Sequence, residues 1–495
     1  MGLKALLSLP FAKQIVKKNN QWKKNAVNVQ NTLLLSLVSQ AKNTKFGKDH
    51  NFSEISNYYD WRKNIPVRDY EDLKIYVQEI IDGGKDVLWP GRPLYFCKTS
   101  GTTSGTKYIP ISKESMPHHI TAARDAIASY IAETKNTSIV NGKMIFLQGS
   151  PELIKTGDIL TGRLSGIVAH HTPSYLKKNQ LPSYGTNCIE DWENKVDAIL
   201  EETLNENMSL ISGIPPWVQM YFEKLQEKTG KLIKDIFPKF DLFIYGGVNY
   251  EPYRQTFEKL IGKKVDGIEL YPASEGFIAY QDSQTEKGML LCVNHGIFYE
   301  FIQSEEFFNK NPTRISLADV EVGVNYVIIL NTDAGLWGYN IGDTIKFVSI
   351  EPFRIVVSGR IKHFTSAFGE HVIAEEVEKS LQETIAKIPA QVNEFHVAPQ
   401  VNPESGLPYH QWLVEFEKEP ENMAVFSDMI DKNLQKHNTY YKDLISGGIL
   451  KPLLITKINK NGFRNYMKSI GKLGGQNKVP RLANDRKIAN KLNVF

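Results

Sequence analysis

The chain has 495 residues, 41% of them hydrophobic and 23% charged, which is too long for one ordinary domain and apolar enough for two or three around a large core. A formal net charge of +4 over this length makes no global field of the kind nucleic-acid binders carry, although a local pocket for a nucleotide-sized anion remains open. Cys97, Cys188 and Cys292 are odd in number and outside any CxxC or CxxH spacing, which argues against a disulfide frame or a zinc site and for reduced thiols in a cytoplasmic protein.

The start, residues 1–18, reads as an amphipathic helix. Lysines follow its apolar stretch at once with no small-residue cleavage site, and nowhere do about 20 apolar residues run together as a membrane span requires. Residues up to about 90 read as helices that pack on something larger. From about 92 to 350, short β-rich runs (Lys143 to Leu147, Leu242 to Tyr245, Gly267 to Leu270, Tyr326 to Leu330) alternate with helical stretches. In the helix expected over 191–204, Trp192, Val196, Ile199, Leu200 and Leu204 form one stripe, as on a helix covering a sheet. Gly288 to Ile302 reads as hairpin strands. After Gly359 and Arg360 the pattern restarts with a helix at 373–388, strands near 394–397 and 412–416, and a helix from about 421. The expectation is an α/β protein: a large mixed α/β body over 1–358 and a smaller, mobile α+β domain over 359–495.

The segment from Lys98 to Lys107, Lys-Thr-Ser-Gly-Thr-Thr-Ser-Gly-Thr-Lys, reads as a loop between two short strands. Its glycines let backbone N–H groups turn toward an anion, its hydroxyls add donors, and Lys107 adds positive charge. Gly101 and Gly105 are separated by three residues and Lys107 is followed by tyrosine, so it is no Walker loop. Thr99, Ser100, Gly101, Thr102, Thr103 and Lys107 are the candidate phosphate contacts. Glu275 lies in the run Glu269 to Gly276 just past a strand, where a carboxylate holds Mg²⁺ against a triphosphate or serves as a helix cap or surface group. Tyr271 and Ser274 belong to the same turn. Asp343 is either a ribose ligand or a turn aspartate, and Gly246-Gly247 either lets a flat ring approach or makes a tight turn. His170 and His171 read as non-ligands lining a substrate cavity, and Trp217 as core or pocket wall.

In this order, the segments resemble the auxin-responsive Gretchen Hagen family of acyl-acid amido synthetases, a branch of the adenylate-forming enzymes that also include acyl-CoA synthetases and luciferases. Thr99 to Lys107 is similar to that family's phosphate loop, Tyr271 to Gly276 to its Tyr-x-x-Ser-Glu turn, Phe298 to Phe301 to its Phe-Glu-Phe strand, and Ala334 to Asp343 to its Ala-Gly-Leu-Tyr-Arg-Tyr-Arg-x-Gly-Asp block. Arg360, Gly369, Glu376 and Glu378 resemble the hinge, and Gln476 to Arg481 the Gln-x-Lys-x-Pro-Arg tail. The two arginines usual in the block are Gly338 and Asn340 here, and the usual hinge aspartate and lysine are Lys362 and Ser366.

The resemblance implies an ATP- and Mg²⁺-dependent ligase; charge and hydropathy point to no nucleic acid and no membrane, and a monomer is expected. It would adenylate a small carboxylic acid and pass the acyl group to an amine, an amino acid by analogy. Asp343 would then hold ribose and Glu275 magnesium. Lys478 would swing in at the reacting phosphate, the small domain would turn about Arg360, and the 160–220 region would select the acid. An acyl-CoA ligase, or a nucleotide-binding scaffold without catalysis, are the alternatives.

Overall fold

The computed structural model describes residues 3–102, 105–189, 192–248, 250–361, 364–365, 367–370, 372–470 and 479–492, with the backbone alone at 3, 100–102, 105, 174, 175, 192, 193, 252, 360, 364, 365 and 375. Four strands that the sequence marks as buried runs, Lys143–Leu147, Met208–Gly213, Leu242–Gly246 and Asp266–Ala273, lie side by side and parallel. The helices between them cover the sheet. In Trp192–Thr203 the apolar stripe does so as expected, with Val196, Ile199 and Leu200 buried and Leu204 packed on the same cluster.

Beyond Asp266–Ala273 the sheet turns antiparallel through Gly276–Tyr280, Met289–Leu291, Phe353–Arg360, Tyr339–Ile350, Asn325–Thr332, Ile297–Gln303 and Arg314–Ile315, making twelve strands with Gln180–Leu181 at the other edge. The strands within Gly288 to Ile302 do not pair with each other as a hairpin. Met289–Leu291 pairs with Gly276–Tyr280 and Phe353–Arg360, while Ile297–Gln303 pairs with Asn325–Thr332 and Arg314–Ile315.

The N-terminal helices are fastened to this sheet by specific polar groups as well as by apolar surface. In the helix Ala26–Ala41, buried Gln30 donates to the carbonyls of Val293 and Ile297 at 2.6 and 2.8 Å and accepts from the Tyr299 N–H at 2.8 Å. Trp61 in the helix Tyr58–Asn64 donates to Glu300 at 3.1 Å, and the same carboxylate faces the Arg314 guanidinium at 2.9 Å and accepts from Asn331 at 2.9 Å. Phe46, Phe52, Trp61 and Trp89 surround the fully buried Trp337, whose indole donates to the Leu88 carbonyl at 3.0 Å. Among the described residues no helix is long and apolar enough to cross a membrane.

After residue 372 the chain builds a separate three-stranded sheet, Gln391–Gln400, Tyr409–Lys418 and Leu454–Lys457, with the helices Ala374–Ile385, Met423–His437 and Thr439–Ser446. The segment 480–483 runs alongside Gln391–Gln400: Val397 N–H donates to the Arg481 carbonyl and Ala483 N–H to the Val397 carbonyl, both at 2.9 Å.

Candidate active site

The hydroxyl- and glycine-rich segment is a hairpin and not a loop between strands. The strands Tyr95–Thr102 and Gly105–Ile111 carry the antiparallel register through Thr99↔Lys107 and Thr102↔Gly105, with an irregularity between Thr99 and Thr102. Threonine favours a pleated backbone, so the ladder continues into residues that composition alone assigns to a loop. Thr103 lies outside the described residues; of Ser100, Gly101 and Thr102 the backbone is described.

Thr99 and Lys107 of this hairpin open onto a cleft of about 1420 Å³. Its walls include Gly246 and Gly247, Tyr271 to Glu275, Asp343 and Trp217. These come largely from the carboxyl ends of the four parallel strands, where open α/β sheets place their ligands. The cleft therefore gathers Thr99, Lys107, Trp217, Gly246, Gly247, Tyr271, Ser274, Glu275 and Asp343. His170 and His171 are not in its lining. They end the helix Leu164–His170, where the His170 ring contacts the Pro151 carbonyl at 2.7 Å and the His171 ring the Tyr95 hydroxyl at 3.0 Å. These contacts at a helix end account for their absence from the lining that they were expected to join.

Tyr271 and Asp343 meet directly, the phenol donating to the carboxylate. Three strands separate theirs in the sheet order, so at about 4.8 Å per step they would lie about 19 Å apart in a flat sheet. The sheet must curl here, which turns a layer into a cleft. Asp343 pairs in register with Arg360, whose backbone follows on the adjacent strand, and Ile361 N–H donates to the Gly342 carbonyl at 3.0 Å.

At the corner, Ser274 contacts the Cys97 thiol at 3.0 Å. Burial, with the Glu275 charge as a smaller cause, pushes that thiol up to about 12. It stays protonated and is no thiolate nucleophile. Burial and the neighbouring Glu275 carboxylate likewise raise the Tyr339 phenol. Among the described residues no group of three or more His, Cys, Asp or Glu forms a metal cage. Magnesium takes one or two carboxylates and shares the rest of its shell with water and phosphate, so a single Glu275 in the same cleft lining as Thr99 and Lys107 is a donor set of the right kind.

Gly246 is explained by packing: a Cβ there would lie 2.3 Å from the Leu270 carbonyl oxygen. Gly247 has φ +81°, a turn conformation, and a Cβ there would meet only ordinary contact with the Ile214 side chain at 3.8 Å. Gly338 answers for one departure from the resembled pattern. It has φ +59°, and a Cβ would come within 2.4 Å of the Pro66 carbonyl oxygen, so arginine does not fit.

Profiles of the GH3 family match residues 15–185 (N-terminal domain), 290–360 (central domain) and 375–487 (C-terminal domain), together well over half of the chain. The chain belongs to the GH3 family. Among its relatives are jasmonoyl–L-amino acid synthetase JAR4 of Nicotiana attenuata, 21% identical over 400 residues (67% of this chain and 68% of the relative), and indole-3-acetic acid-amido synthetase GH3.15 of Arabidopsis thaliana, 21% identical over 398 residues (65% of each). The alignments thus span about two thirds of those proteins. The fold is that of the acyl acid amido synthetase AtGH3.15 solved with 2,4-DB (TM-score 0.62, 16% identity, 98% of this chain and 96% of that one). It is also that of 2-hydroxyisobutyryl-CoA ligase (TM-score 0.61, 12% identity, 96% and 92%).

The rest of the resembled motifs of this GH3 chain divide between cleft and scaffold. Glu376 caps its own helix, accepting from Ile373 N–H and Asn438, both at 3.0 Å. Glu378 accepts from Arg481 at 3.0 Å, and Arg481 also pairs with Glu394 and stands 4.8 Å over the Phe395 ring. The tail is thereby tied to the small sheet, and Pro480 and Leu482 to Arg486 reach the cleft lining. Lys478, Lys362 and Ser366 lie outside the described residues. Sequence reading missed Arg163, Tyr440 and Asp443 on the cleft rim, because nothing in their local sequence signals a meeting across almost 280 residues. It also missed Lys195, a buried amine that holds the carbonyls of Asn187 (2.6 Å) and Gln148 (3.2 Å) and is lowered to about 8 by burial.

Proposed function

We propose that this GH3 chain joins a small carboxylic acid to an amine in two steps at this cleft, spending ATP. The observation that carries the reading is the convergence of the Thr99–Lys107 hairpin, the Tyr271–Glu275 corner and Asp343 on one cavity at the carboxyl ends of parallel strands.

A carboxylate is a poor electrophile, so it first attacks the α-phosphorus of ATP. Pyrophosphate leaves and a mixed anhydride with AMP remains. Both reactants are anions, and donors fixed in place before the reaction screen their repulsion without reorganising. Thr99, Ser100, Gly101, Thr102, Thr103 and Lys107 take the phosphates, Asp343 the ribose, and Gly246, Gly247, Tyr271 and Ser274 the base and its surroundings. Glu275 would hold magnesium, which would supply positive charge at the phosphates. Trp217, with Phe146, Leu164 and Ile214 of the same lining, receives the body of the acid.

In the second step an amine attacks the anhydride and AMP departs. The C-terminal part from 359 onward closes the site around the Arg360 joint, excluding water from a hydrolysable intermediate, and Lys478 approaches the phosphate. An amino acid is the favoured acceptor, as in the names of the relatives. A second reading is transfer to a thiol, because the fold is shared with a CoA ligase as well as with an amido synthetase.

The test is exchange of labelled pyrophosphate into ATP across a panel of carboxylic acids, followed by mass analysis of products formed with amino acids and with coenzyme A. Acid-dependent exchange and an amide product are expected. No exchange with any acid sinks the adenylation reading, and a thioester without an amide replaces the acceptor.

A further inference from the structure

Among the C-terminal segments that line the cleft is the helix Thr439–Ser446, through Tyr440, Asp443 and Leu444. Tyr440 and Asp443 stand three residues apart on it, on one face. Asp443 pairs with Arg163, and the Arg163 guanidinium lies 4.9 Å from the centre of the Tyr440 ring. The stem of Arg163 is laid along Gly149, where a Cβ would be 3.1 Å from its Cδ. The Tyr440 hydroxyl shares a hydrogen bond with Thr99 of the phosphate hairpin. All four residues line the cleft.

Two features distinguish this from ordinary packing. Arg163 and Asp443 are 36% and 42% exposed in their side chains, so their attraction is screened by water and salt and opens readily. In addition, a cation on the cleft rim and a hydroxyl of the phosphate hairpin are both committed to the C-terminal helix, although both groups suit an anionic ligand.

We propose that Asp443 and Tyr440 form a reversible latch on Arg163 and Thr99, which positions the C-terminal part for acyl transfer and opens when the triphosphate enters. This rests on the two-step reading above. With the latch closed, Tyr440 occupies Thr99 and Asp443 neutralises Arg163, so the hairpin's mouth offers fewer donors to phosphate. With it open, those donors are released while the amine-transfer geometry is lost. Asp443 and Tyr440 are positioning residues that act through Arg163 and Thr99.

The experiment compares wild type with Asp443→Asn, a nearly isosteric change on a half-exposed helix face, and with Tyr440→Phe, in both half-reactions. Amide formation from the acyl-adenylate is expected to fall by about two- to fivefold in Asp443→Asn, the size a half-exposed ion pair supports, with pyrophosphate exchange unchanged or raised. Raising salt should lower the ratio of amide formation to exchange in wild type and leave it flat in the variant. Equal changes in both half-reactions, or no change in either, overturn the latch. A wild type without acid-dependent exchange defeats the synthetase reading instead. Small-angle scattering at low and high salt then still judges the latch: Asp443→Asn should be more extended than wild type at low salt, and identical profiles overturn it.

Discussion

The hydroxyl of Tyr271 donates to the carboxylate of Asp343, tying the turn after one parallel strand to an antiparallel strand across the curled sheet. Both residues line the cleft. The pair also sets apart two roles for Asp343, since a turn aspartate needs only the tyrosine whereas a ribose ligand must keep acceptor capacity beyond it.

If Asp343 serves the ribose, Asp343→Ala raises KM for ATP in pyrophosphate exchange by roughly tenfold to a hundredfold, because a hydrogen bond to a charged group is worth about 1.5–3 kcal/mol. Tyr271→Phe, which leaves the carboxylate in place, should change KM far less. An unaltered KM in Asp343→Ala removes the ribose assignment.

Much of this site was legible because its signals are local. The Thr99–Lys107 segment, the Tyr271–Glu275 turn and the Ala334–Asp343 block each announce themselves by glycines and polar residues beside buried runs, and the parallel strands by continuous apolar stretches. What was not legible is how distant segments meet. Nothing near Ile297 says that its strand pairs with Arg314–Ile315 and Asn325–Thr332 and not with Met289–Leu291. Nothing near His170 says that a helix end turns it to Pro151. Gly338 and Gly246 show a third kind of limit. A missing side chain in sequence looks like a lost function or a ring platform, while in three dimensions a backbone carbonyl from Pro66 or Leu270 already fills the space.

The two glycines at the end of Leu242–Gly246 should therefore respond differently to substitution. Gly247→Ala costs about 1–2 kcal/mol for the left-handed backbone, and Gly247→Asn should recover much of that because asparagine tolerates this region. Gly246→Ala forces the strand off Leu270 and costs about 1–3 kcal/mol or more, and Gly246→Asn should be worse still. Urea denaturation of the four variants checks this; recovery by asparagine at 246 would contradict the packing account.

Glu300 lies fully buried between Arg314, Trp61 and Asn331, so the Phe-Glu-Phe strand is scaffold by its contacts. Removing one partner of a buried ion pair leaves an uncompensated charge, and Glu300→Ala is expected to destabilise by about 3–5 kcal/mol. Replacing Glu300 and Arg314 together by apolar residues should cost much less than the single change. Denaturation midpoints of the single and double variants decide the point, and equal losses would place the cost elsewhere.

Acid sensitivity should arise well away from the cleft, at His119 and His295. Burial lowers His119 to about 4, with the His118 charge as a smaller cause, and burial lowers His295 to about 3, again with His118 contributing. In the unfolded chain both rings titrate near 6.5. Below that value the unfolded chain takes up protons that the folded chain refuses, so folding stability falls as pH drops from about 6.5 through about 4 and is fully present above 6.5. The Nδ1 of His119 has no hydrogen-bond partner among the described residues, so His119→Met, apolar and adaptable in shape, removes one of the two titrations without orphaning a partner at that atom. Melting temperature against pH should fall less steeply for this variant than for wild type between 6.5 and 4, with the two converging in slope above 7. Parallel curves across the acid range would show that His119 is not the group that the acid limb reports.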